Sequence, residues 1–342
     1  MRKGKSFMSN KRITIRDVAE HAGVSISTVS RVFNGLDRVK PETYKKVMRA
    51  IEELNYTPNK VAVSMVKNET KTIVIIVPST INEFYTAVIQ GVELTARKHG
   101  YLPFICCTND DAQTEKDFID DLLSKNVDGF ILVPCQNDTA FYKSIPKPVV
   151  FVDRQCEEGE IHSVVVDNVG GSYRAVKHLL DNGHRKIAII NGPHDTNGKE
   201  RYWGYEQALR DFAISVNPDY IKTGDWFEEN GYRSTNELLS LEDPPTAIFA
   251  TNNLICQGVL KAFRDLNLRV GEDISLVGFD DHELARFLLP SISVVDRPTI
   301  EMGTSAAEIL FKIMKNKDDD RPQKVVLGTR FISRGSVKRL QA

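Results

Sequence analysis

Five cysteines in 342 residues, with no CxxC pair among them, leave little from which to build a disulfide framework or a zinc site. Cys106 and Cys107 are adjacent, while Cys135, Cys156 and Cys256 lie far apart, the pattern of buried free thiols in a reducing compartment. Any apolar run of signal-peptide or membrane-spanning length is also missing, so a cytoplasmic protein without a membrane role is expected. Gly170-Gly171 lacks the neighbouring glycines of a dinucleotide loop or a P-loop, which removes the usual case for binding nucleotide phosphates. His178 and His184 are six apart, a poor spacing for two ligands of one metal ion. Neither a nucleophile elbow nor an activated-cysteine motif occurs. These absences argue against an enzyme, so no catalytic residue, cofactor or metal is expected.

A length of 342 residues with 41% hydrophobic and 27% charged side chains suits two to three globular domains with ample core. The net charge of −1 conceals a strong polarity. Residues 1–60 carry 13 Lys+Arg against 6 Asp+Glu, which leaves 32 against 40 downstream. A basic head on an acidic body is what phosphate contacts require.

The head spans residues 13–67. Thr14 and Asp17 have capping-box spacing, and Ile15, Val18, Ala19 and Ala22 follow with helical periodicity. Gly23 ends that helix. Ser25 caps a second helix with Val29, Val32 and Phe33 on its apolar side, and with Ile26, Ser27, Thr28, Ser30 and Arg31 on the other. It stops at Asn34-Gly35. Pro41 starts a third helix that turns Tyr44, Val47, Met48, Ile51 and Leu54 inward. Two short helices joined at a glycine, with a third closing the core, make a helix-turn-helix. Its second helix has small polar residues for a major groove and an arginine to read guanine. The first 12 residues read as a disordered basic arm.

Beyond residue 72 the texture changes to near-continuous apolar strands alternating with helices, which predicts parallel sheets covered on both faces. About 250 residues exceed one such sheet, so two similar subdomains are expected. Ligands of such sheets bind at the carboxyl ends of the strands, and between paired subdomains they sit in the cleft. The residues at those ends are Asn82, Glu83, Phe84 and Tyr85, Asp153 and Arg154, Arg201, then Thr251, Asn252 and Asn253, Asp280 and Asp281, and Asp296. Carboxylates, amides and guanidiniums together suit a hydroxylated ligand, because each hydroxyl both donates and accepts. Phe84 and Tyr85 could lie against a sugar face or a planar base.

The runs TIRDVAEHAGVSISTVSRVFNG and ELNYTPNKVA, with GHRKIAII in the body, resemble the lactose/galactose-repressor (LacI) family of bacterial transcription regulators. The resemblance covers nearly the whole chain. It implies an α/β protein: a helix-turn-helix domain over residues 13–57, a hinge helix and linker over 58–71, and a periplasmic-binding-protein-like core over 72–342. The three crossings between its subdomains are placed near Asp167, near residues 293–295 and near residues 321–325. Subdomain N then takes about 72–166 and 294–322, and subdomain C about 167–293 and 323–342, with a final strand near 324–332 returning to subdomain C.

The resemblance implies DNA contacts from Thr14, Ile26, Ser27, Thr28, Ser30, Arg31, Asn34, Arg38, Tyr56, Asn59, Ala62 and Met65. Met65 takes the place of the leucine that usually wedges into the minor groove. Effector contacts are implied at Phe84, Tyr85, Asp153, Arg154, Arg201, Asn252, Asp280 and Asp296. Relatives commonly carry aspartate where Asn253 stands, and arginine or glutamine at the position assigned to Asp296. The expected function is a repressor that reads an inverted-repeat operator in double-stranded DNA as a homodimer. A small-molecule effector (a sugar, sugar acid or sugar phosphate) controls it, and a phosphoprotein corepressor stays open. The alternatives are a sugar-binding protein or an α/β enzyme with no DNA role, and neither explains the basic head.

Overall fold

The structure is a computed structural model that describes residues 13–33, 39–56, 69–156, 160–193, 196–316 and 321–340. The chain divides into two compact units, residues 1–70 and residues 71–342.

In the first unit, Thr14 caps α1 (Ile15–Ala22): its hydroxyl accepts from the Asp17 amide while the Asp17 carboxylate accepts from the Thr14 amide at 2.7 Å. Gly23, at φ 65°, turns the chain out of α1 in a conformation that costs glycine little. The Ser25 hydroxyl then accepts from the Thr28 amide at 3.2 Å and starts α2 (Ile26–Phe33). Pro41 occupies the first turn of α3 (Pro41–Glu53). Val18, Ala19, Val29, Val32, Val47 and Ala50 form the buried centre. His21 and Glu53 join α1 to α3 at 2.7 Å. Two expected core residues differ. Tyr44 is 47% exposed and Phe33 39% exposed, because a core this small is filled by valine and alanine.

The second unit opens with β1 (Thr72–Val77), α4 (Glu83–Lys98), β2 (Leu102–Cys107), α5 (Ala112–Ser124), β3 (Gly129–Leu132), α6 (Thr139–Lys143), β4 (Val149–Val152) and β5 (His162–Val166). The second lobe follows with α7 (Asn168–Asp181), β6 (Ile187–Asn191), α8 (Thr196–Asp211), β7 (Ile221–Thr223), α9 (Glu228–Leu239), β8 (Ala247–Ala250), α10 (Asn253–Asp265), β9 (Ser275–Phe279), α11 (Glu283–Phe287) and β10 (Ser293–Asp296). The chain then returns through α12 (Thr299–Lys315), β11 (Lys324–Leu327) and β12 (Arg330–Ile332). The sheets are ordered β11-β5-β4-β3-β1-β2 and β12-β10-β9-β8-β6-β7, so each lobe repeats the other's strand order. Among the described residues all strand pairings are parallel except β10 with β12.

The crossing expected near residues 293–295 follows Asp296, since β10 pairs with β9 in the second lobe; the last crossing lies later than expected. The predicted final strand over 324–332 is two strands: β11 joins β5 in the first lobe, and β12 joins β10 in the second. The apolar run KVVLGTRFI reads as one strand, and only the choice of partner strand divides it at Gly328. On the first lobe α12 lies against α4, where Gly91 and Gly303 let the backbones touch. A Cβ on Gly91 would lie 2.1 Å from the Ile300 carbonyl oxygen, and one on Gly303 2.0 Å from that of Val88.

His184 ties the second lobe's sheet to the C-terminal segment. Its Nε2 lies 3.1 Å from the Lys338 carbonyl oxygen and its Nδ1 2.9 Å from the Thr246 hydroxyl. Burial pushes the imidazole down to about 4, against an ordinary value near 6.5. The neutral ring is therefore favoured in the folded state, and its contribution to stability is complete above about pH 6.5. That contribution is expected to fall away as the pH drops from about 6.5 through about 4. A thermal melt series across this range should show a flatter acid limb for His184→Gln than for the wild type; identical slopes would exclude His184 as the cause.

Candidate functional site

On the head, α2 turns Ile26, Ser27 and Arg31 to solvent, while Thr28 and Ser30 are half-buried. Ile26 is 43% exposed. Thr14 is exposed but its hydroxyl is engaged by Asp17 at 2.7 Å. Tyr56 packs edge-on against Phe33 with ring centroids 5.8 Å apart, so its ring helps to close the helical core. Asn34, Arg38, Asn59, Ala62 and Met65, with most of the expected hinge and the whole basic arm, lie outside the described residues.

In the core, residues at the carboxyl ends of both sheets converge on one narrow space of about 30 Å³. That is room for one or two water molecules, far below the 300–1,000 Å³ usual for a drug-sized ligand. The lobes are closed on each other. Asp153, just after β4, and Asp280, just after β9, hold equivalent places in the two repeats. Both have left-handed backbones, φ 70° and 78°. A non-glycine residue held there costs on the order of 1–3 kcal/mol, the kind of strain that gathers at functional sites.

Arg297, in the crossing that follows β10, bridges these two carboxylates. Its Nη1 donates to Asp153 at 2.6 Å and its Nε to Asp280 at 2.5 Å. All three side chains are at least nine-tenths buried. The guanidinium also lies 3.6 Å from the centre of the Phe84 ring. Its neighbouring acids hold the guanidinium's pKa above the ordinary value despite burial, so it stays charged. Arg201 comes from α8. It donates from Nε to Asn168 at 3.0 Å and from Nη1 to the Thr251 carbonyl at 2.6 Å, with its guanidinium 4.0 Å from the Phe279 ring centre. Arg154 forms a two-pronged pair with Asp110 at 2.5 and 3.2 Å. The Tyr85 hydroxyl lies 3.4 Å from Asp153, and burial raises its pKa far enough to keep it a donor. Asn252 caps α10 through its side-chain oxygen, 2.7 Å from the Ile255 amide, and its amide nitrogen donates to the Trp226 carbonyl.

Of the eight expected effector residues, seven line this space: Phe84, Tyr85, Asp153, Arg154, Arg201, Asn252 and Asp280. Asp296 does not. As the last residue of β10 its carboxylate turns to Arg330 on the neighbouring strand, at 2.7 Å, and the next residue enters the cleft instead. Strand alternation accounts for that slip of one position. Arg297, Asn197, Asp110 and Trp226 also line the space and were not among the expected contacts, nor were Asn82 and Asn253. Asn82 and Asn253 stand at strand ends and were legible there; Asn197 and Trp226 come from loops and helix starts far along the chain, with no local signal. The thiols of Cys135 and Cys256 are each pushed up to about 12, chiefly by burial, so neither is an activated nucleophile. Among the described residues no cluster of His, Cys, Asp or Glu could hold a metal, and no helix is long and apolar enough to cross a membrane.

A helix-turn-helix unit and a two-lobed α/β core closed over a charged cleft define a ligand-responsive DNA-binding protein. The sequence bears this out. Residues 14–59 match the profile of bacterial regulatory proteins of the lacI family, and residues 176–337 that of a periplasmic binding protein-like domain. The chain is 37% identical over 316 residues to the HTH-type transcriptional repressor PurR of Aliivibrio fischeri (strain MJ11), covering 90% of this chain and 94% of that one. It is 34% identical over 332 residues to the HTH-type transcriptional repressor CytR of Escherichia coli (strain K12), covering 96% and 97%. Among solved structures it superposes on the lac repressor dimer bound to operator and the anti-inducer ONPF with a TM-score of 0.85, at 26% identity over 96% of this chain and 100% of that one. A transcriptional regulator CelR–cellobiose complex superposes at 0.72 with 30% identity, over 95% and 100%. The chain belongs to the lacI family of bacterial regulatory proteins. It is a DNA-binding transcriptional regulator of the repressor kind, and not an enzyme.

Proposed function

We propose that this repressor acts as a homodimer on an inverted-repeat operator, and that a small hydroxylated effector bound in the cleft controls it. One observation carries the effector assignment: the buried Asp153–Arg297–Asp280 bridge, which joins equivalent strand ends of the two lobes. Buried charges carry a desolvation cost, so a charged bridge kept in a cleft between lobes favours a functional site there. Solved relatives point to the same chemistry, one with cellobiose and one from Enterococcus faecium with ribose. Effector binding requires the 30 Å³ space to widen, and so changes how the lobes meet. A change of that kind couples effector and DNA through two states of the core.

Dimerisation is supported by bare apolar side chains in two places on the core. Leu102, Phe104 and Ile105 lie on the edge strand β2, each at least 43% exposed. Phe287, the last residue of α11, and Leu289, just beyond it, are 78% and 97% exposed. An uncovered apolar edge invites pairing, and a second copy of this chain satisfies it. The lac repressor relative is a dimer on its operator.

Ile26, Ser27 and Arg31 are the base-reading side chains in this proposal: isoleucine for a thymine methyl, serine for either partner, arginine for guanine. Arg31→Ala is expected to cost about 1–3 kcal/mol in operator affinity and to relax preference at one base pair per half-site. Gel shifts against an operator library, at fixed salt, test it. Uniform weakening with preference intact would reduce Arg31 to a phosphate contact. Loss of all binding after removal of residues 1–67 is the companion control.

A further inference from the structure

Asn82 and Asn253 face each other across the cleft, one from each lobe, and their amides are oriented by the backbone around them. Asn82 is the N-cap of α4: its side-chain oxygen accepts from the Phe84 amide at 3.0 Å. Asn253 is the first residue of α10, and its side-chain oxygen accepts from the Leu254 amide at 3.0 Å. A backbone N–H can only donate, so each oxygen is fixed where it lies. The Asn253 amide nitrogen is thereby aimed at Asn82, and it donates to the same capping oxygen at 2.8 Å. Both side chains are buried, 6% and 2% exposed.

We propose that this one-way amide bond is a clasp that holds the cleft closed, with Asn253 as the residue that sets the open–closed balance. The inference rests on the cleft being the effector site, and concerns how that site is regulated. Other bonds cross the same junction: Arg297 and Asn197 to Asp153, and the Glu283 amide to the Glu83 carboxylate at 3.1 Å. Those three involve a charged group; a neutral bond, from the Thr196 hydroxyl to the Gln155 carbonyl at 3.3 Å, crosses as well. The clasp joins two neutral amides and depends on direction. Position 82 must accept and position 253 must donate.

That asymmetry separates a clasp from mere packing. Asn253→Asp keeps the shape and removes the donor, setting a carboxylate against an oxygen that cannot turn without uncapping α4. Asn82→Asp keeps the acceptor, remains a good N-cap, and makes a charge-assisted bond to Asn253. The two substitutions are chemically identical, yet opposite results are expected. Small-angle scattering and energy transfer between one label on each lobe would be measured on the full-length protein without DNA or effector. Asn253→Asp should raise the open-to-closed ratio about tenfold or more, the scale of one lost buried hydrogen bond. Asn82→Asp should stay as closed as the wild type. If Asn253→Asp fails to fold by circular dichroism, Asn253→Ala, which deletes the donor without adding charge, takes its place with the same expectation.

The clasp is overturned if the variant at 253 is as compact as the wild type, or if Asn82→Asp opens as far as the variant at 253. Because closure is read without effector, the clasp can fail while effector binding stands. Conversely, a closed wild type that opens only in the position 253 variants supports it even if no tested sugar binds.

Discussion

Replacing Arg297 with methionine is expected to destabilise the core by about 3–5 kcal/mol, the penalty for removing one partner of a buried ion pair and stranding the other. Here two acids are stranded. Asp153 and Asp280 are 3% and 6% exposed, and Arg297 donates to both. Methionine fills much of the arginine volume and can still lie on Phe84, so the loss reports charge rather than a cavity. Denaturant unfolding of the core transition gives the measurement. The triple variant Asp153→Asn, Arg297→Met, Asp280→Asn should recover a large part of the loss, since no buried charge is then left unpaired. A loss below about 1 kcal/mol for Arg297→Met would mean that the carboxylates are rehydrated through an opened cleft, and that the bridge does little for stability.

The second large effect falls on binding. Arg201→Ala is expected to weaken the effector about 10–150-fold, the worth of a hydrogen bond to a charged group. The ligand is first found by thermal shift with sugars, sugar acids and nucleobases, where 100 times the dissociation constant stabilises by about 2.7 kcal/mol. Calorimetry on the variant then gives the ratio. Arg201 is held by Asn168 and the Thr251 carbonyl and lies over Phe279, so its position is set before any ligand arrives. Preorganisation of that kind is what gives a single side chain such weight. Operator affinity without effector should stay within a few fold, since Arg201 belongs to the core and not to the reading helix. Unchanged effector affinity would make Arg201 a structural pin between α7, α8 and β8.

The helix-turn-helix was legible because its signals are local: a capping box at Thr14 and Asp17, a helix-ending glycine at Gly23, and a proline at the start of α3. Each acts within four residues and needs nothing from the rest of the chain. The alternation of apolar strands and helices likewise declared two parallel sheets. Because ligands of such sheets gather at strand carboxyl ends, Asp153, Asn252 and Asp280 could be picked out from their position alone.

What the tertiary structure decided was pairing. Residues 324–332 carry one apolar pattern, and nothing local says that Lys324–Leu327 joins β5 while Arg330–Ile332 joins β10. The same holds for Asp296 and Arg297. Both are charged, adjacent and plausible, and the parity of β10 sends the first to Arg330 and the second between two buried aspartates. Tyr44 and Phe33 fit a helical apolar stripe, but three short helices enclose too little volume to bury them. The Asn82–Asn253 bond joins residues 171 apart, so it exists only once both lobes have folded and met. Local chemistry is written into neighbouring residues and can be read from them; partners distant in sequence are chosen by the packing of whole elements.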